Sequence, residues 1–174
     1  MKKIEDYVRS IPDFPEPGII FLFVFSVLQD PDGLKLAIDS MMKLLEGVDF
    51  DVIVGAESRG FIFGAPLAYQ LHKPFVLVRK KGKLPGATIE RSYDLEYGSA
   101  TLEMHRDSIK PGQKVIVVDD LIATGGTIEA TAALIEELGG EVVKLIFLIE
   151  LAGLKGRERL NKYDLGAVIT YEGK

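Results

Sequence analysis

No cysteine occurs among the 174 residues, which excludes a disulfide framework, a thiolate nucleophile and a zinc–thiolate centre. Histidine is scarce as well: His72 and His105 are the only two, too few for a histidine-rich metal cluster. Positive charge is in deficit, with 21 Lys and Arg against 26 Asp and Glu and a formal charge of −5. The average field therefore repels nucleic acid and anionic membranes. Long hydrophobic runs are missing too. The most apolar one, Ile19 to Leu28 (IIFLFVFSVL), has ten residues, about half of the roughly 20 that a spanning helix needs. The opening MKKIEDYVRS has no apolar stretch of the kind a secretory signal carries. What is present is ordinary globular material, 47% hydrophobic and 27% charged, so disorder is excluded and a single domain over 1–174 is expected. The expected location is the cytoplasm.

The patterning predicts an α/β fold. Lys2 to Ser10 reads as a weak helix, and IPDFPEPG (Ile11 to Gly18), with three prolines in eight residues, as an extended, turn-rich connector. Asp30-Pro31 marks a helix start, followed by Leu34, Ile38, Met41 and Leu45 at helical spacing. Short apolar strands then alternate with helices: Phe50 to Gly55, a helix over Phe61 to Leu71, Phe75 to Lys80, Val115 to Asp120, a helix carrying Ile128, Thr131, Ile135 and Leu138, and Val142 to Leu151. Such alternation predicts an open, mainly parallel sheet with helices on both faces. Lys81 to Ser99 has no sustained period and many charges. A connection that long in a compact domain reads as a functional lid.

VIVVDDLIATGGT, Val115 to Thr127, carries the strongest chemical signal. A β-branched strand ends in two carboxylates, and a Gly- and Thr-rich loop then enters a helix. In open α/β sheets that crevice binds ligands. Glycines at 125 and 126 let backbone N–H groups approach an anion, and the helix N-terminus adds partial positive charge. Ala123, Thr124, Gly125, Gly126 and Thr127 are thus built for a phosphate. Asp119 and Asp120 would repel one, and suit hydroxyl groups or a divalent cation. A phosphate beside hydroxyls describes a ribose 5-phosphate. Asp120 and Gly125 are expected to line an open surface crevice.

Other phosphate and nucleophile signatures fail. GAESRG (Gly55 to Gly60) has P-loop spacing, but Phe61-Ile62 stand where Lys and Ser/Thr belong. No G-x-G-x-x-G follows a strand. AESRG approximates a nucleophile elbow, yet Ala56 takes the first Gly position and neither histidine is expected at the end of a later strand.

VVDDLIATGGT is similar to the phosphoribosyl-pyrophosphate signature of the type I phosphoribosyltransferases. PDFPEPGIIF, GAESRGFIFG, VRKKGKLPG, YDLEYG and ELAGLKGRERL resemble, in order, stretches of the adenine branch of that family, from about Ser10 to Leu160. The resemblance implies transfer of a phosphoribosyl group from 5-phosphoribosyl 1-pyrophosphate to adenine, giving AMP and pyrophosphate in purine salvage. It implies magnesium carried by the pyrophosphate substrate, a homodimer, a small hood at about 11–30 and a lid at about 81–99. Glu96 resembles the family's catalytic glutamate, which handles the purine proton, and Tyr97 beside it would shield the site. Ser58 and Arg59 resemble pyrophosphate-loop and base-site residues. Arg79, Lys80, Lys81 and Lys83 are expected at the pyrophosphate, partly across a dimer interface. Ile20, Phe21 and Leu22, with Leu151, are expected around the base.

One segment departs from the family. Where its members typically carry an Arg-Asp pair followed by Thr-Pro or Ser-Pro, this chain has Leu22, Phe23, Val24, Phe25, Ser26 and Val27. Hypoxanthine, guanine or xanthine therefore stay open as alternative bases. A nucleotide-sensing regulator on the same fold is the other alternative; no helix-turn-helix accompanies the fold here, and the lid glutamate favours an enzyme.

Overall fold

The computed structural model describes residues 1–95 and 97–172. In chain order the elements are β1 (Arg9–Pro12), β2 (Ile20–Phe23), α1 (Pro31–Lys43), β3 (Val52–Ala56), α2 (Arg59–Leu71), β4 (Phe75–Lys80), β5 (Thr88–Asp94), β6 (Ser99–His105), β7 (Lys114–Ile122), α3 (Gly126–Glu137), β8 (Glu141–Leu151), α4 (Gly156–Arg159) and β9 (Leu165–Tyr171). Among the described residues, seven strands make one sheet in the order β5-β6-β4-β3-β7-β8-β9. From β4 to β9 the pairing is parallel, and the β5–β6 hairpin joins antiparallel at one edge. The α/β class with a mainly parallel sheet is as expected.

The central strands β3, β7 and β8 are largely apolar because both faces are covered. One core lies under α1 and α2 and includes Ile53, Phe63, Leu67, Ile116 and Val118. The other lies under α3 and includes Val54, Val117, Leu134, Ile135 and Phe147. The start of α1 follows the sequence closely: Pro31 is its first residue, and the Asp30 carboxylate accepts from the Asp32 and Gly33 N–H groups at 2.8 and 3.2 Å.

Four expectations are corrected. Lys2 to Ser10 is not a helix: Ile4–Asp6 makes a single 3-10 turn, and Arg9 and Ser10 belong to β1. So short a segment cannot repay helix nucleation, whereas β1 gains a partner in β2. The helix after ESRG begins at Arg59, not Phe61. The presumed loop 81–99 contains β5, and β6 and β9 were not read as strands at all. In β5 most side chains are exposed, so no apolar alternation announces it; backbone pairing with β6 holds it.

The β1–β2 ribbon is separate from the main sheet. Ser26 pins it: its buried hydroxyl accepts from Arg9 N–H at 2.8 Å and lies 2.6 Å from the Tyr7 carbonyl and 2.7 Å from that of Phe23. The apolar run divides its labour here. Val24 and Val27 enter the core, while Ile19, Ile20 and Phe21 remain exposed. No described helix is long and apolar enough to cross a membrane.

Candidate active site

α2 carries the chain from β3 to β4, and α3 carries it from β7 to β8 in the opposite direction. Between the C-terminal ends of β3 and β7 the connections diverge, the place where open α/β sheets bind ligands. The turn before α2 and the turn before α3 both open into that crevice. Gly60 allows their close approach, since a Cβ there would lie 3.1 Å from the Val118 carbonyl and 3.5 Å from Asp119 Oδ1.

The loop Ala123–Thr127 enters α3 through Gly125, whose φ of +89° is a left-handed conformation that strongly favours glycine. No side chain caps this helix, so its first backbone N–H groups remain available to an anion. Thr127 donates its hydroxyl proton to Tyr93 Oη at 3.1 Å, tying the loop to β5. From behind, the loop rests on α4. A Cβ at Gly156 would run into the Ala123 carbonyl, and one at Gly125 would lie 3.3 Å from Leu160 Cδ1.

Asp119 and Asp120 follow on β7. Asp120 does not line an open crevice wall as expected: its exposure is 0%. β7 continues two residues beyond it to Ile122, which sets Asp120 back within the sheet. Yet neither carboxylate oxygen has a hydrogen-bond partner among the described residues. The nearest cation is Arg59, with Nε 3.6 Å from Oδ2. Asp119 accepts from the Asp120 N–H at 2.8 Å. Burial first, and then the neighbouring Asp120 carboxylate, raise the Asp119 carboxyl well above its ordinary 3.8. Two acids held against their own preference for water mark this end of β7 as a candidate ligand site. Among the described residues no group of three His, Asp or Glu is placed to hold a metal ion.

A cavity of about 590 Å³ opens on the other side of Arg59. The hood run Ile19–Phe25 forms one wall, and Leu121, Leu151 and Tyr171 from the sheet form the opposite one. Ile20, Phe21, Leu22, Arg59 and Leu151, all expected around a base, are thus brought together. Tyr97 is not: it is 89% exposed and stands outside the lining. Glu96 lies outside the described residues. Ser58 is exposed at the head of α2, its hydroxyl making no capping bond.

The cationic stretch after β4 is only partly free. Arg79 Nε sits 3.3 Å from Glu57 Oε1, and Lys81 pairs with Glu90 at 3.1 Å. Lys80 and Lys83 are exposed and have no ion pair among the described residues. Their backbones are held instead by carboxylates: Lys80 N–H donates to Glu57 at 2.6 Å and Lys83 N–H to Glu103 at 3.0 Å. Sequence reasoning missed Tyr93, Leu121 and Tyr171 at the site, and Glu57 and Glu103 as its supports. Tyr93 lies inside YDLEYG, Leu121 inside VVDDLIATGGT and Glu57 inside GAESRGFIFG, so the resemblance could have flagged these three; Glu103 and Tyr171 carry no local signal.

Comparison with known proteins agrees with this geometry. Residues 26–170 match the phosphoribosyl transferase domain family. The chain is similar to the adenine phosphoribosyltransferase of Agathobacter rectalis, 70% identical over 100% of both chains. It is 74% identical to that of Butyrivibrio fibrisolvens over 100% of this chain and 96% of the relative. Among solved structures, adenine phosphoribosyltransferase from Thermoanaerobacter pseudethanolicus superposes with a TM-score of 0.91 at 50% identity, covering 97% of this chain and 98% of the other. The Saccharomyces cerevisiae enzyme, complexed with an imino-altritol bisphosphate and adenine, gives 0.88 at 38% identity over 95% and 96% of the two chains.

Proposed function

The chain belongs to the adenine phosphoribosyltransferases of the phosphoribosyl transferase domain family, and from that premise we propose that it joins adenine to 5-phosphoribosyl 1-pyrophosphate, releasing AMP and pyrophosphate. The observation that carries the reading is the position of Arg59. Its side chain lines the apolar cavity and also pairs with Asp120, whose carboxylate has no hydrogen bond among the described residues, so a base site and a ribose-phosphate site meet at one residue.

The transfer forms a bond from the purine N9 lone pair to the anomeric carbon as the bond from that carbon to pyrophosphate breaks; the N9 proton is then lost. Little covalent work falls to the protein, so placement and charge supply most of the acceleration. The 123–127 loop holds the 5-phosphate, and Asp119 and Asp120 accept from the ribose hydroxyls. Ser58, Arg79, Lys80 and Lys83 face the pyrophosphate, and Glu96 takes the purine proton. Ile20, Phe21 and Leu151 clasp the base, and Leu22 extends the hood wall. Magnesium enters with the pyrophosphate substrate and offsets its charge. A homodimer is supported by the exposed apolar surface of Ile62, Tyr69 and Leu77 on α2 and β4. A cytoplasmic location completes the proposal.

The test is direct. Purified protein, 5-phosphoribosyl 1-pyrophosphate, magnesium and one base at a time (adenine, hypoxanthine or guanine) are followed by chromatography of the nucleotide formed. AMP from adenine, with much lower yields from the oxopurines, is expected. A protein that makes only IMP or GMP, or no nucleotide, overturns the reading.

A further inference from the structure

We propose that Glu150 and Arg157 form a positioning pair for this reaction, fixing α4 behind the phosphate loop and the end of β8 beside the base cavity. The proposal rests on the functional reading above and deepens it.

Glu150 is the penultimate residue of β8 and only 6% exposed. A carboxylate so placed must be paired, and it is: Arg157 Nε donates to Oε2 and Nη2 to Oε1, each at 3.0 Å. This fork-to-fork contact fixes direction as well as distance. The third nitrogen, Nη1, donates to the Leu165 carbonyl at the start of β9 at 3.0 Å. Thr170, further along β9, adds its hydroxyl to Oε1 at 3.4 Å. One guanidinium thus joins β8, α4 and β9.

α4 needs that anchor. It has four residues and begins after Lys155 in a left-handed conformation, so it cannot be stable by itself. Its inner side nevertheless forms the floor of the phosphate loop. Gly156 lies against the Ala123 carbonyl, Leu160 against Gly125, and the Arg159 guanidinium against Gly126, where a Cβ would be 3.3 Å from Nη1. Three loop residues rest on this short segment, so moving α4 moves the loop. On the other side of the pair, Glu150 is followed directly by Leu151, and successive strand residues point to opposite faces. Holding Glu150 therefore fixes the backbone from which Leu151 meets the cavity. Neither Glu150 nor Arg157 lines that cavity, so their influence passes through Leu151 and the loop.

The experiment compares wild type with Arg157→Met, Arg157→Lys and Glu150→Gln. Four quantities are read: thermal midpoint, KM for each substrate, kcat, and the calorimetric Kd for ribose 5-phosphate. Arg157→Met is expected to raise the KM for 5-phosphoribosyl 1-pyrophosphate and the Kd for ribose 5-phosphate roughly tenfold, about 1.4 kcal/mol, well below its melting temperature. KM for adenine is expected to rise less, and kcat least. Arg157→Lys keeps the charge but loses the fork, so it is expected to recover the melting temperature and only part of the affinity. If Arg157→Met does not fold, Arg157→Lys and Glu150→Gln carry the same measurements. A variant with a lowered melting temperature but wild-type KM and Kd values shows a merely structural pair and overturns the proposal. Wild type that binds ribose 5-phosphate but makes no AMP overturns the functional reading instead, and the Kd series still decides the pair.

Discussion

Asp120 and Glu150 lie near the C-terminal ends of neighbouring strands, where Ile122 of β7 stands opposite Glu150 of β8. Both side chains are buried, and both carry the penalty of taking a carboxylate out of water, several kcal/mol by order of magnitude. Glu150 is met on both oxygens by Arg157. Asp120 has no hydrogen bond on either oxygen among the described residues, and its nearest cation stands off at 3.6 Å. Two acids of similar depth thus serve different ends. The satisfied one holds the architecture; on the function proposed above, the unsatisfied one keeps its lone pairs for hydroxyl groups that arrive with substrate. Burial alone does not distinguish the two acids; the state of their hydrogen bonds does.

The comparison can be broken or sharpened experimentally, beginning with the largest effect. Glu96→Gln is expected to lower kcat by about 10²- to 10⁴-fold, the usual contribution of a positioned proton acceptor, with little change in binding of 5-phosphoribosyl 1-pyrophosphate. An unchanged kcat in pre-steady-state and steady-state assays removes Glu96 from the chemistry. Asp120→Asn is next. Loss of a charged acceptor is worth about 1.5–3 kcal/mol, so kcat/KM should fall roughly 10- to 150-fold while the thermal midpoint holds or rises. A fall in both would place Asp120 with Glu150 as an architectural acid.

The third effect is on pH dependence and has opposite signs at two carboxyls. Asp119 is raised above 3.8 in the fold, by burial first. Its folded form therefore holds its proton longer than the unfolded chain does. The resulting stability is complete below the ordinary value and is lost as pH rises through the folded one. Glu103 is lowered below 4.5, chiefly by the Leu84 backbone N–H. Its contribution is present above the ordinary value and is lost as pH falls through the folded one. Denaturant titrations across acidic pH should show Asp119→Asn flattening the loss on raising pH and Glu103→Gln flattening the loss on lowering it. Identical curves for the three proteins contradict both assignments.

The smallest effect is expected in the hood. Leu22 and Phe23 line the cavity, and an apolar wall reads a purine by stacking, which tolerates many bases. Leu22→Arg with Phe23→Asp should increase the ratio of kcat/KM for adenine over hypoxanthine, because polar groups left unpaired penalise the wrong base. A ratio already several orders of magnitude in favour of adenine in wild type would make the apolar hood neutral for selectivity.

Legibility in the sequence follows from how locally each feature is encoded. β7, its loop and α3 are written in consecutive residues, so strand, glycine turn and carboxylates can be read together. The hood residues Ile20 to Leu22 are found through family resemblance, since an apolar run by itself reads equally as core. Glu150 and Arg157 both lie inside the ELAGLKGRERL stretch, but nothing in that stretch says that the two pair. One is a polar residue near the end of an apolar strand and the other sits in a charged turn, and only the fold brings their forks together. β5 escapes notice because its stability comes from backbone pairing with β6 rather than from buried side chains. Asp120 illustrates the converse: its place near the end of a strand is legible, but its depth is not, because burial there depends on helices and strands remote in sequence.

The central pairing of β3 with β7 also governs when the site can exist. The Lys114 N–H donates to the Asp51 carboxylate across 63 residues, and β3 and β7 zip in parallel from there, Val52 opposite Val115. All of α2, β4 and the β5–β6 hairpin must be looped out before that contact closes, and contacts of such sequence separation form slowly. A nascent chain that has emerged only as far as β6 has no β7, no Asp119–Asp120 pair and no 123–127 loop. The crevice between β3 and β7 therefore cannot form until β7 has been made. Substrate selects the finished fold, adding to its stability by mass action, and has nothing to grip on the way there.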